Sequence, residues 1–362
     1  MAGLTSAIML KKGGMDVTLI EKNEYPFHRV CGEYVSNEVI PFLRENELWP
    51  TGLHPADITK FELTDTTGSP VRMPLDLGGF GVSRYALDNF FIEKAKALGV
   101  EVKEGTRVEE IAFQDNNFEV LTRNGTSPYS IVVGAYGKRS HLDKRMDRSF
   151  MKRRSPYIGV KYHVRNAPQS NDTVALHNFK GGYCGLNAVE NGTFNLCYLS
   201  HRDNLREYKD IDQMEKKVLC VNPHLKRIFA ESEFLWDAPL VINEISFETK
   251  EPVINHVLMC GDAAGMITPL CGNGMAMAIH SGKILAECVL AHNTKDNLNR
   301  VELEEDYRKA WKKQFSFRLS SGRQIQRLFG RPLFSKMAVS LGRYTPPVAR
   351  FLMSKTHGTP FR

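Results

Sequence analysis

The stretch Cys260-Gly-Asp-Ala-Ala-Gly-Met-Ile-Thr-Pro-Leu-Cys-Gly-Asn-Gly274 constrains this chain more than any other part of it. The apolar run ending at Cys260 reads as a buried strand, and Gly261-Asp262 as a sharp turn out of it. Pro269-x-x-Gly272-x-Gly274 then leads into a helical pattern from Met275 to Leu290. A carboxylate at a strand end and small residues before a helix suit a polar, electron-rich ligand. The free N–H groups and the positive end of the helix dipole would face it.

The N-terminal residues carry a second signal of the same kind. Ala2 to Lys12 has small and apolar residues at helical spacing, Gly13-Gly14 ends the helix, and Asp16 to Ile20 reads as a strand closed by Glu21. Helix, turn and acid-terminated strand form the second half of a dinucleotide-binding βαβ unit. Gly3 then takes the place of the third glycine of G-x-G-x-x-G, eighteen residues before Glu21 and close to the usual offset of about 20. The strand and two glycines expected before Gly3 are not in the sequence. We expect the start of the protein to lie upstream; a degenerate protein is the alternative.

The order Gly-Asp-Ala-Ala-Gly followed by Pro-x-x-Gly-x-Gly resembles the second flavin-binding motif of FAD-dependent aromatic hydroxylases and geranylgeranyl reductases. Arg29-x-Cys31-Gly32-Glu33 is similar to the Lys/Arg-x-Cys-Gly-Gly stretch of the reductases and to the Gly-Glu of flavin-dependent halogenases. Arg84-Tyr-Ala-Leu-Asp88 resembles their Arg-x-x-Leu-Asp. One motif departs: Gly134-Ala135-Tyr136-Gly137 has a tyrosine where the family has aspartate.

The resemblance implies an α/β fold: a Rossmann-like FAD-binding domain with an inserted antiparallel-sheet substrate domain and a C-terminal helical tail. The FAD domain is expected over 1–58, 79–150 and 248–295, the substrate domain over 59–78 and 151–247, and the tail over 296–362. It also implies roles. Gly3 belongs to the phosphate turn, Glu21 accepts bonds from the adenosine ribose, Arg29 pairs with the pyrophosphate, and Arg84 helps to hold FAD. Cys31 and Gly32 lie at the isoalloxazine, while Gly261 and Asp262 hold the ribityl chain. Pro269, Gly272, Asn273 and Gly274 set a helix start against the N1–C2=O edge of the ring. No catalytic acid or base is assigned, and NAD(P)H is expected as a transient electron donor.

Composition narrows the class. Seven scattered cysteines without a C-x-x-C pair fit reduced thiols, and no H-E-x-x-H spacing suggests a metal. No uninterrupted apolar run nears the roughly 20 residues that span a bilayer, so a cytoplasmic location is expected. Thirteen of the 48 basic residues and none of the 41 acidic ones lie from Tyr307 onward, leaving the first 306 residues at 35 against 41. That tail is expected as helices over about 301–322 and 325–341, either packed on the protein or in peripheral contact with a membrane surface. No nucleic-acid motif accompanies the charge.

Two enzymatic readings follow, a reductase saturating prenyl double bonds and a monooxygenase of an aromatic or polyketide-like substrate. The Cys31-Gly32 motif and the apolar, basic tail favour the lipophilic substrate. The absence of a Trp-x-Trp motif counts against a halogenase. A third reading, a catalytically dead flavoprotein-fold binding protein, draws on Tyr136 and the missing first strand.

Overall fold

The computed structural model describes residues 1–268, 272–294, 297–328, 331–349 and 358–362. Its first lobe is built on the helix Ala2–Lys12, which packs along Gly274–His292. A side chain at Gly282 would meet the Ala2 carbonyl at 2.7 Å, so glycine is what lets these two helices approach. The strand Thr18–Ile20 runs parallel to Glu101–Lys103, with Leu19 opposite Val102. A second small sheet pairs Val133–Gly134 in parallel with Val257–Met259. Between them in sequence, Val108–Gln114, Asn117–Thr122 and Gly125–Tyr129 form a meander, closed at the expected Asn124-Gly125 hairpin.

Among the described residues, Thr18–Ile20 pairs only with Glu101–Lys103, and Val133–Gly134 only with Val257–Met259. The other edge of each carries no strand. Residues of both strands line the same cavity. This is the position at which a βαβ unit places its first strand.

The second lobe is one nine-stranded sheet. Its order is Glu233–Phe234, Tyr157–Arg165, Phe194–His201, Gly182–Ala188, Thr173–Phe179, Ala56–Thr64, Pro70–Gly81 and Tyr34–Ser36, with Leu240–Asn243 also pairing Tyr157–Arg165. The sheet is mixed rather than antiparallel throughout, because Thr173–Phe179 lies parallel to Ala56–Thr64. More than a hundred residues separate those strands, including the helix Arg84–Ala97 and the Val108–Tyr129 meander of the first lobe, a crossover no hairpin could make. Alternation places Phe61, Leu63, Val174 and Leu176 on the cavity face. Glu62, Thr64 and His177 take the opposite face. The expected helical region is present as Arg202–Tyr208, Ile211–Lys217 and Pro223–Glu231.

The tail departs from expectation in its break. One helix runs Arg300–Leu328, and a second restarts at Pro332 and ends at Tyr344. Gly322 does not end the first helix, because Tyr307, Trp311, Phe315 and Leu319 recur at four-residue spacing and are buried against the core. The Tyr307 hydroxyl donates to the Met259 carbonyl at 2.5 Å, fixing this helix to the strand before Gly261. Val339 packs with Leu63 and Val71 of the large sheet. The helix Gly274–His292 is long and apolar enough to cross a membrane, yet ten of its residues are buried inside the lobe.

Phe315 is fully buried and Phe317 is 62% exposed two residues further on. Phe315→Ala is expected to destabilise the protein by about 3–5 kcal/mol. Phe317→Ala should change it by less than about 0.5 kcal/mol. Urea unfolding of the two variants checks which face of the tail is bound.

Candidate functional site

One continuous cavity of about 1860 Å³ lies between the lobes, well above the roughly 300–1,000 Å³ of a pocket for a drug-sized ligand. It brings together Gly3, Glu21, Arg29, Cys31, Gly32, Arg84, Gly261, Asp262, Gly272 and Gly274. These ten are drawn from segments more than 250 residues apart, and the fold collects them on one surface. Asn273 is fully buried behind that surface, where its amide nitrogen donates to Glu38 at 3.4 Å. Pro269 lies outside the described residues.

At the Gly261 end, the strand Val257–Met259 runs into a turn over Gly261–Ala263. Gly261 has φ 59°, and a side chain there would meet the Ala2 Cβ at 2.8 Å. Its N–H donates to Ser281 Oγ at 3.0 Å. The Asp262 carboxylate lines the cavity and makes no hydrogen bond among the described residues. Burial raises its pKa, against the pull of Lys250, Arg84 and Lys138. Lys250 itself donates to the Asp262 and Lys138 carbonyls at 2.8 and 2.7 Å, and burial lowers it to about 8.

The helix Gly274–His292 begins at the same cavity, with Gly274 and Met275 on its wall and no side-chain cap on its first turn. Its leading amides are therefore open to an anionic or carbonyl acceptor. A half-buried carboxylate with no hydrogen bond among the described residues, beside an uncapped helix start, fits the ribityl chain and electron-rich ring edge of a flavin.

The opposite, polar end is organised by ion pairs. Glu21 sits directly after the strand Thr18–Ile20, as expected, but accepts from Arg29 Nη2 at 3.0 Å. Arg29 also approaches Asp88 at 3.4 Å, and Arg84 grips Asp88 with two bonds of 2.8 and 2.6 Å. Burial works to raise the Asp88 pKa, but Arg84, the chain's amino group and Arg29 together hold it at about 2. Thus both arginines line the cavity, while the anions they hold here are carboxylates of the chain. A side chain at Gly3 would meet the Ala135 Cβ at 2.9 Å, so glycine there lets the helix sit against the sheet.

Sequence reasoning missed the residues that position these groups. Glu33 is completely buried with φ 53°. It receives Lys161 Nζ at 2.5 Å, His163 Nε2 at 2.6 Å and the Arg84 backbone N–H at 2.7 Å. Lys161 also reaches the Arg29 carbonyl at 3.2 Å, and Asn195 holds the Cys31 and Gly32 carbonyls at 3.2 and 2.8 Å. The Arg29–Glu33 loop is thereby stapled to the large sheet. Around it His28 stacks on Tyr85 at 4.6 Å, and Trp236 lies 4.7 Å from His163.

Arg148 was also missed. It is buried, holds Asp143 at 2.9 Å, and donates to the Ala263 carbonyl at 2.8 Å, steadying the Gly261 turn. Tyr136, in the aspartate's place, faces the cavity and donates to the same Asp143 at 3.0 Å. The one sequence hint was alternation, since Lys161 and His163 share a strand face one residue apart.

Burial opposes ionisation of Glu33, but the Lys161 charge and the His163 bond win and hold its pKa below the usual glutamate range. Folding therefore gains from its ionisation above that range, and the gain is lost as pH falls through the lowered value. Glu33→Gln should show a flatter stability profile between about pH 5 and about pH 3 than the wild type. Lys161→Met leaves that carboxylate buried without its strongest partner and should cost about 3–5 kcal/mol. Denaturant midpoints across pH measure both.

Residues 1–296 match the family model described as an FAD binding domain. The chain is 23% identical over 385 residues to conditioned medium factor receptor 1 of Dictyostelium discoideum, covering 94% of this chain and 71% of that protein. It is 23% identical over 329 residues to digeranylgeranylglycerophospholipid reductase of Methanosarcina acetivorans, covering 86% and 78%. Among solved structures, a geranylgeranyl bacteriochlorophyll reductase-like protein of Thermoplasma acidophilum superposes with TM-score 0.76 at 16% identity, over 98% of this chain and 96% of that one. The model match covers the helix Ala2–Lys12, the Gly261 turn and the helix start at Gly274 alike, and the chain belongs to the FAD-binding-domain family.

Proposed function

We propose that this protein is an FAD-dependent oxidoreductase acting on a long lipophilic substrate, as a reductase of prenyl double bonds. The observation that carries the proposal is the apolar wing of the cavity. Phe61, Leu63, Met73 and Leu75 of the large sheet face Phe334 and Leu341 of the tail helix, continuous with the wall that holds Asp262 and Gly274. An extended hydrocarbon fits that wing. The relationship to a digeranylgeranylglycerophospholipid reductase supports the same class.

When bound, FAD supplies the two-electron chemistry, with NAD(P)H proposed as its transient source of electrons. The chain's residues bind and orient. Asp262 would accept hydrogen bonds from hydroxyl groups of the cofactor, the Gly274 amides would suit its electron-rich edge, and the Glu33 staple holds Cys31 at the cavity wall. The tail helix keeps water from the apolar wing. Its outer side carries the exposed Leu333 and Tyr344 beside the exposed Lys336 and Arg343. This supports a peripheral membrane contact through which a lipid substrate enters from a cytoplasmic enzyme.

The protein incubated with FAD and passed through gel filtration should keep a visible flavin spectrum. Asp262→Ala should bind FAD about tenfold or more weakly, the loss of a charge-assisted bond. Anaerobic turnover with NADPH and a geranylgeranyl lipid should add two hydrogens to the product. Substrate-dependent oxygen consumption would assign a monooxygenase instead. No retained flavin, in this chain or any longer product of its gene, would leave a binding protein and end the proposal.

A further inference from the structure

On the face of the large sheet turned away from the cavity, three side chains far apart in sequence converge. We propose that Glu62, His177 and His224 form a binding site for a zinc-type divalent transition ion that clamps the helix Pro223–Glu231 onto the sheet. Each offers a donor atom, and the three atoms lie within 4.8 Å of one another.

The backbone fixes this convergence. Ala56–Thr64 and Thr173–Phe179 are parallel neighbours with Thr64 opposite His177 and Glu62 opposite Ala175, so Glu62 and His177 are diagonal neighbours on one face. His224 comes from the first turn of the helix laid over that face. Its helix is held by Asn222, whose side-chain amide donates to Thr64 Oγ1 at 2.9 Å, the Asp65 carbonyl at 3.1 Å and the Asn178 carbonyl at 3.0 Å. The Asn222 side-chain oxygen caps the helix by accepting from the His224 N–H at 3.0 Å.

The donors are also prepared chemically. His224 Nε2 lies 3.1 Å from the Gly68 carbonyl, which can only accept. That bond puts the proton on Nε2 and leaves the Nδ1 lone pair towards Glu62 Oε1, 3.6 Å away. A carbonyl behind a ligating imidazole is the usual way such a ligand is oriented. His177 Nδ1 is 3.1 Å from Thr64 Oγ1, and its ring stacks 5.1 Å from that of His224. Arg72 occupies Glu62 Oε2 at 2.5 Å and leaves Oε1 to face the histidines.

Two imidazoles and one carboxylate suit zinc and its neighbours better than magnesium or calcium, which prefer all-oxygen sets. Donors at about 2.0–2.2 Å from zinc stand roughly 3.4 Å apart, so the cluster closes by about an ångström on binding. His224, the half-buried member, is the one with room to move. A water completes four-coordination. The residues are 115 and 47 positions apart in sequence, so no ligand spacing announces the site. The same two strands carry Phe61, Leu63 and Leu176 on the cavity side, so the clamp would order the roof of the cavity without touching it.

The test is calorimetric titration of chelator-treated protein with zinc chloride, with zinc content measured after desalting. Wild type should hold one zinc per chain and rise in melting temperature with zinc. His224→Ala and Glu62→Gln should bind about a hundredfold or more weakly and lose the zinc-dependent rise. Their zinc-free melting and circular dichroism should match the wild type, which separates lost ligation from lost folding. Cobalt(II) in place of zinc should give a spectrum of nitrogen and oxygen ligands. Failure of the wild type to retain zinc would overturn the proposal. So would equal binding by both variants, or a cobalt–thiolate charge-transfer band placing the ion on cysteines.

Discussion

The buried Glu33 carboxylate couples the two lobes. Glu33 takes a lysine and a histidine from the large sheet and a backbone N–H from the first turn of the Arg84–Ala97 helix in the other lobe. A carboxylate buried without partners would cost several kcal/mol, so these three donors must stay where they are for the loop to keep its course. The left-handed backbone of Glu33 is held by the same contacts. Val82 N–H and Asn187 donate to its carbonyl at 3.1 and 3.4 Å, closing the junction from behind. The position of Cys31 at the cavity wall, and hence the shape of the space between the lobes, depends on this junction.

The remaining charges of the site extend from it in alternating sign. Arg84, whose N–H serves Glu33, turns its side chain to Asp88; Asp88 is shared with Arg29; Arg29 reaches Glu21. Such a chain neutralises itself at short range while keeping polar groups at the cavity surface. A ligand phosphate entering this end would compete with Glu21 and Asp88 for the two guanidinium groups. At the other end, the Asp262 carboxylate makes no hydrogen bond among the described residues, and no side chain caps the helix start at Gly274. The Asp262 end is thus the less engaged among the described residues, while the Arg29 and Arg84 end is closed on the chain's own carboxylates.

The glycine-rich segments were legible because their demands are local. Gly261 and Gly272 have positive φ, and Gly3 stands where a side chain would clash; a sequence states such constraints at the residue itself. Glu33 stood in the Arg29–Glu33 motif without its structural role, and that role, with Lys161, His163 and Arg148, was illegible for the opposite reason. Their partners lie about 100 to 130 positions away, and an isolated Lys in an alternating strand reads as exposed. The tail break was misplaced because Gly322 looked like a terminator. The buried Tyr307–Leu319 stripe outweighs the roughly 1 kcal/mol by which glycine weakens a helix interior. Parallel pairing of the Ala56 and Thr173 strands could not be read at all, since alternation reports a face and says nothing of direction.

The size of the cavity has a structural origin as well as a functional one. Two parallel strand edges, at Thr18–Ile20 and Val133–Gly134, open into it without partners among the described residues, between the apolar Val17, Leu19, Ile111 and Val120. An unpaired backbone group in such surroundings costs about 1–3 kcal/mol, so these edges favour an occupant of the cavity that carries donors and acceptors. Water can serve only where there is polar company, and these walls are mostly hydrocarbon. A strand pairing both edges would satisfy the backbone and the apolar walls together. Glu21 ends one edge and Gly3 packs on Ala135 just beyond the other. Whatever fills the gap therefore fixes the two residues assigned to the adenosine end. Glu21 and Gly3 thus share a wall with the two strand edges, while Asp262 and Gly274 line the cavity at its other end.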